Sequence, residues 1–206
     1  NAGYIKKTYE KISRKIRKFV DKNNIKKANV VLANSLFSKS NIKKAYGIKA
    51  HLCYLGVDPT KFRYLGIKKE YDILFIGLKN SIEGYDLLEN TLLLYKETPK
   101  VILVKRDSEG KGISEESLIR EYNRSNIVLS LSRNEPFGLI PVEAMACSIP
   151  VIALNEGGLK ESVVDEKTGF LIERSPHSLK NKIDLLLNNE KLRNSLGRAG
   201  RNRVMS

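Results

Sequence analysis

The run Arg133-Asn134-Glu135-Pro136-Phe137-Gly138-Leu139-Ile140-Pro141-Val142-Glu143-Ala144-Met145-Ala146 sets two glutamates eight positions apart. Pro136 disfavours helical geometry at Glu135, and Pro141 fits only a first helical turn, so a helix begins between Phe137 and Pro141. Glu135 then lies in a loop and Glu143 about one turn inside the helix. An ionised carboxylate offers only acceptor oxygens, which suits the vicinal hydroxyls of a ribose or a sugar. The N–H groups of Phe137, Gly138 and Leu139 at the helix start suit a phosphate or a sugar oxygen. A nucleoside diphosphate sugar presents all of these. Read without their neighbours, the same glutamates would do no more than complement a helix dipole.

Two further glycine-rich turns accompany the glutamates. One is Gly77-Leu78-Lys79-Asn80-Ser81-Ile82-Glu83-Gly84, a tight strand-to-helix turn; the other is Gly157-Gly158-Leu159-Lys160-Glu161, whose glycines allow close backbone approach to a sugar. Glu161 reads as structural, in a first turn where it favours the helix dipole.

The elements that position these turns follow from hydrophobic periodicity. Helices are expected at 4–21 and 38–46, with strands at 29–34 and 51–55; Gly56-Val57-Asp58-Pro59 and the basic stretch to Lys69 then read as a linker. Beyond it, strands at 71–76, 100–104, 126–131, 150–154 and 169–172 alternate with helices near 84–96, 114–124, 138–147 and 159–164. One closing helix starts at Ser175-Pro176 and a second covers about 189–204. This alternation predicts an α/β fold with a Rossmann-like, doubly wound parallel sheet, whose carboxyl edge is where such folds bind ligands.

The E-x7-E run resembles the signature of the retaining glycosyltransferases of family four, which have the GT-B fold of two facing Rossmann-like domains. The likeness continues in order through Ala28 to Ser35, Gly56-Val57-Asp58, Phe75-Ile76-Gly77, Pro150-Val151-Ile152-Ala153, Gly157 to Glu161 and Thr168-Gly169-Phe170-Leu171. It implies that residues 61–206 are the nucleotide-sugar (donor) domain and residues 1–60 a remnant of the acceptor-side domain with its linker. The chain would then be the carboxyl half of a longer enzyme, inactive alone, that transfers a sugar with retention to a glycan or lipid-linked acceptor. By this resemblance Glu135 contacts the sugar near the reacting carbon and Glu143 holds the ribose. Phe137, Gly138, Leu139, Gly77, Gly157 and Gly158 line the donor site. Ser132 orients the glutamate loop.

The family places an arginine after the first glycine of the strand-to-helix turn and a lysine before the second, to hold the pyrophosphate. Here those places carry Leu78 and Glu83. Lys79, and Lys105-Arg106 after a strand, are the cations within reach that could supply the charge; the bland alternative is that all three are solvated. Loss of the cations also supports a rival reading, a non-catalytic binding or scaffold module. The stretch 107–124 is shorter than the family's, and Ser108 to Gly112 reads as a loop, so the base is left open.

The formal net charge is +14. Residues 1–50 carry 14 Lys and Arg against Glu10 and Asp21, a net of +12, so the remainder holds +2. In that segment Ile5, Tyr9, Ile12, Ile16, Phe19 and Val20 recur at helical spacing among eight basic residues. Two readings stand: the stripe docks on its own domain, or residues 4–27 approach an anionic membrane. Nucleic acid is not expected, since no stacking aromatics or recognised module accompany the charge. Cys53 and Cys147, without metal spacing or a leader, read as buried thiols of a cytoplasmic protein, and His51 and His177 fit no catalytic role. No metal or cofactor is expected.

Overall fold

The computed structural model describes residues 2–105 and 112–206, with side chains from residue 6 onward. Arg106 and nearly all of the 108–112 loop therefore lie outside the described residues. The chain divides into two compact units, Asn1–Tyr54 and Leu55–Ser206.

The first unit consists of α1 (Ala2–Lys26), β1 (Leu32–Ala33), α2 (Leu36–Tyr46) and β2 (His51–Leu52), with β1 and β2 parallel. Ser35 starts α2 by accepting the Ser38 N–H at 2.8 Å, and Gly47, at φ 72°, ends it. Both devices satisfy helix-end groups that would otherwise lack partners. Helix α1 runs past the expected stop at 21, because no glycine or proline interrupts it. Docking of its apolar stripe is not observed: Tyr9, Ile12, Ile16 and Phe19 are all exposed, Phe19 at 66 %. A two-stranded sheet has too little apolar face to cover a helix of this length.

The second unit is a five-stranded parallel sheet wrapped by helices. Its elements are β3 (Tyr71–Ile76), α3 (Tyr85–Leu92), β4 (Val101–Val104), α4 (Glu115–Arg124), β5 (Ser125–Ser130), α5 (Leu139–Ala146), β6 (Val151–Leu154), α6 (Leu159–Ser162), β7 (Gly169–Ile172), α7 (Pro176–Leu187) and α8 (Glu190–Met205). The strand order is β4-β3-β5-β6-β7. Ile73, Leu74, Ile127, Val128, Val151 and Ile152 are fully buried, as continuous apolar strands between two helical layers must be. The chain steps from β3 outward to β4, then back past β3 to β5. Right-handed crossovers therefore put α3 on the opposite face from α4 and α5. Contacts between helices agree. Beyond the end of α3, the Tyr95 hydroxyl donates to Asp184 of α7 at 2.8 Å, while Tyr122 of α4 reaches Glu143 of α5. Below the sheet, Lys69 donates to the carbonyls of Asn123 and Ser125 at 2.8 and 2.9 Å, tying the segment before β3 to the α4–β5 junction.

Candidate functional site

The step from β4 back past β3 to β5 makes the gap between β3 and β5 the topological switch point of the sheet, where open α/β folds hold ligands. Both turns at that gap were singled out in the sequence. Gly77 leaves β3 with its N–H on the Val104 carbonyl at 2.9 Å, and Gly84 opens α3 at φ 81°. A Cβ at Gly84 would collide with the Leu131 carbonyl, so only glycine lets this turn close on the end of β5. Arg133 stitches the two turns together. Its backbone N–H donates to Ile82 at 2.8 Å, its Nε to the Ser81 carbonyl at 2.9 Å, and its Nη2 pairs with Asp86 at 3.3 Å.

Inside this frame the structure brings Glu83, Ser132 and Glu135 together. Ser132 Oγ donates to Glu83 Oε2 at 3.0 Å, so the orienting role expected of Ser132 falls on Glu83. Glu83 folds over Gly77, where an added Cβ would stand 3.3 Å from Oε2. The Glu135 carboxylate accepts the N–H groups of Phe137 and Gly138. Burial raises its pKa, those two hydrogen bonds oppose the rise, and the charge of Glu83 adds to it. The N–H groups expected to meet a donor are thus occupied by the chain's own carboxylate at two of the three positions.

The second glycine-rich turn lies directly against this loop. Gly158 N–H donates to the Glu135 carbonyl at 2.7 Å, and a Cβ at Gly157 would stand 2.6 Å from that same oxygen. A Cβ at Gly158 would overlap Pro136. The close approach these glycines permit is to the backbone of the glutamate loop, which they hold from behind. Arg174 at the end of β7 pairs with Glu156 and steadies the turn.

Glu143 stands apart from the other glutamates. It is 2 % exposed, and its Oε2 accepts the Tyr122 hydroxyl at 2.7 Å. The expectation that it holds a ribose meets a carboxylate already engaged in the interior. Tyr122 escaped the sequence reading. Its signal was there: an aromatic with a polar tip, on the apolar stripe of Leu118 and Ile119, needs a buried acceptor. Arg133 was missed as well. The cations singled out instead point elsewhere: Lys79 lies 5.5 Å over the Tyr85 ring, and Lys105, after β4, lines a small cavity of about 120 Å³ with Ile113, Glu115 and Leu118. Leu78 is exposed. Among the described residues no group of three or more His, Cys, Asp or Glu is placed to hold a metal.

The same sheet is found in solved glycosyltransferases. The C-terminal domain of a glycosyl transferase group 1 family protein from Francisella tularensis superposes with a TM-score of 0.61 at 23 % identity, covering 73 % of this chain and 97 % of that one. Anabaena HepE in complex with UDP and glucose gives a TM-score of 0.73 at 19 % identity over 86 % of this chain and 58 % of that one. The chain has the fold of a GT-B glycosyltransferase. Residues 110–203 match the family described as glycosyl transferases group 1. The capsular polysaccharide biosynthesis glycosyltransferase CapM of Staphylococcus aureus is 33 % identical over 141 residues, 67 % of this chain and 34 % of that protein. The match thus spans about a third of this relative's length. No helix among the described residues is long and apolar enough to cross a membrane.

Proposed function

We propose that this chain supplies the donor site of a retaining glycosyltransferase that moves a sugar from a nucleoside diphosphate to a glycan or lipid-linked acceptor, in the biosynthesis of a polysaccharide. The observation that carries the reading is the placement of Glu135 at the switch point, at the start of α5, with its carboxylate on the N–H groups of Phe137 and Gly138. That carboxylate is the right acceptor for sugar hydroxyls near the reacting carbon. When it turns to the sugar it releases two N–H groups for the donor's own oxygens. The neighbour solved with UDP and glucose, and the capsular polysaccharide relative, favour this choice of substrate.

In this reading Gly77, Gly157 and Gly158 shape the two walls, and Leu139 begins the helix. Glu143 braces α5 through Tyr122 and meets a ribose hydroxyl once the nucleotide takes over that contact. Lys79 and Lys105 act on the departing diphosphate as its charge develops, not on the resting donor, and no metal is required. The protein works in the cytoplasm, peripheral to the membrane through residues 4–27. A second reading, a binding module without catalysis, is favoured by one observation: Glu83 stands where a cation would serve the leaving diphosphate.

Calorimetric titration with UDP, GDP, ADP and dTDP and their sugar conjugates tests the donor site, with Glu135→Gln as the companion variant. Binding of one nucleotide family, with the sugar conjugate selectively weakened by Glu135→Gln, is the expected result. Failure of all four families to bind would sink it. Sugar transfer by the full-length protein then separates the enzyme from the binding module.

A further inference from the structure

Glu83 carries an inference that rests on the donor-site reading and sharpens it. The backbone around this residue is fixed from both sides. Gly84 is pressed on Leu131, Ile82 accepts the Arg133 N–H at 2.8 Å, and the Glu83 N–H itself donates to Asn80 Oδ1 at 2.9 Å. The turn has no slack with which to carry residue 83 away from the opening. Its side chain is fixed too, folded over Gly77 and held by the Ser132 hydroxyl at 3.0 Å. Its charge is felt by the Glu135 carboxylate on the other turn. The mouth of the switch point therefore presents two carboxylates and a hydroxyl, while the ammonium of Lys79 lies over Tyr85.

A fixed carboxylate discriminates strongly. It repels a phosphate brought to the same spot, and it accepts hydroxyl protons from a neutral sugar. We propose that Glu83 is a specificity-determining residue of the donor site: it keeps the ionised diphosphate off the Gly77 turn and takes hydroxyls of a neutral glycosyl group there. The base and the sugar then supply most of the affinity and the diphosphate little. Donors with an acidic sugar, such as a uronic acid, are excluded.

The test compares uridine, guanosine, adenosine and thymidine with their 5′-diphosphates on the wild-type chain, Glu83→Gln and Glu83→Lys. For the base that binds, the wild type should hold the diphosphate no more than about tenfold tighter than the nucleoside, since repulsion at Glu83 cancels the phosphate contacts. Glu83→Gln keeps the shape and an acceptor for Ser132. It should widen that ratio by about tenfold or more, and Glu83→Lys further, with nucleoside affinity unchanged. Glu83→Asp, which retains the charge but withdraws it from Gly77, should fall between and guards against a folding defect in the others. A wild-type diphosphate preference of about a hundredfold or more, or a ratio unmoved by Glu83→Gln, would overturn the proposal while leaving the donor site intact. If no nucleoside or diphosphate binds the wild type or Glu83→Lys, the donor-site reading itself falls and takes this proposal with it.

Discussion

The Tyr122 hydroxyl donates to Glu143 Oε2 across 2.7 Å in the layer between α4 and α5. Tyr122 is fully buried and stacks edge-on with Phe62 at 6.3 Å, so its hydroxyl has no solvent to fall back on. Tyr122→Phe should cost about 1–3 kcal/mol in urea unfolding, because it strips a donor from a buried carboxylate. Adding Glu143→Gln to that variant should cost less than Glu143→Gln does alone. A double-mutant cycle measures the coupling, and additive losses would show that the contact contributes nothing.

Gly158 and Gly56 make a matched pair for a second prediction. A methyl group at Gly158 runs into Pro136, whereas one at Gly56 meets nothing within 4 Å. Gly158→Ala should lower stability by about 1–3 kcal/mol and displace the Glu135 loop, weakening any bound nucleotide sugar. Gly56→Ala should stay within about 0.5 kcal/mol of the wild type. Thermal melts of both proteins check it; equal melting temperatures would mean that the loop yields freely.

The alkaline stability curve should carry two opposing contributions. Burial pushes the Lys69 ammonium down to about 8 from its ordinary 10.5, so between those values the unfolded chain holds more protons and stability rises with pH. Burial, with the Glu143 charge behind it, pushes the Cys147 thiol up to about 12 from 9; the unfolded chain then loses its proton first and stability falls as pH rises above 9. Cys147→Ala removes the second effect and leaves the burial that lowers Lys69 in place. Between pH 9 and 10.5 its stability should climb relative to the wild type by up to about 1.4 kcal/mol per pH unit. Parallel curves from denaturant titrations at stepped pH would refute this.

The exposed stripe of α1 sets up a fourth prediction, for membrane contact. Ile12, Ile16 and Phe19 are exposed on a helix rich in lysine and arginine, as an interfacial helix requires. The chain should co-sediment with vesicles containing phosphatidylserine but not with pure phosphatidylcholine. Replacing Lys11, Lys15 and Lys18 by glutamine should weaken binding about a hundredfold. Equal binding to both vesicle types would exclude an electrostatic attachment.

Much of the fold was legible because the signals that wrote it are local. The strand at Tyr71–Ile76 and the one at Gly169–Ile172 fell where expected, since Ile73 to Ile76 and Phe170 to Ile172 are the short apolar runs that a parallel sheet between helical layers needs. Ser175-Pro176 fixed the start of α7 through capping chemistry alone. The site was legible as a set of segments but not as a set of contacts. Glu135 and Gly158 could be chosen from motifs, yet the hydrogen bond between their backbones depends on which strands are neighbours. Glu143 shows the same limit more sharply, for its burial is set by Tyr122, a residue 21 positions earlier on another helix. Helix α5 is apolar on nearly every side, so no polar face distinguishes an inward glutamate from an outward one.

Between Gly77 and Gly84 the chain leaves Leu78, Lys79, Asn80, Ser81 and Ile82 in solvent, while the closing glycine is wedged against the end of β5. The wedge holds the shape of the turn, and the stretch inside it carries almost none of the packing. Such a segment behaves as an exchangeable cassette. A single codon change at Glu83, where the stretch meets the wedge, can invert the charge at the mouth of the switch point at little cost to the hydrophobic interior, so descendants of one scaffold can part ways in chemistry long before they part ways in architecture.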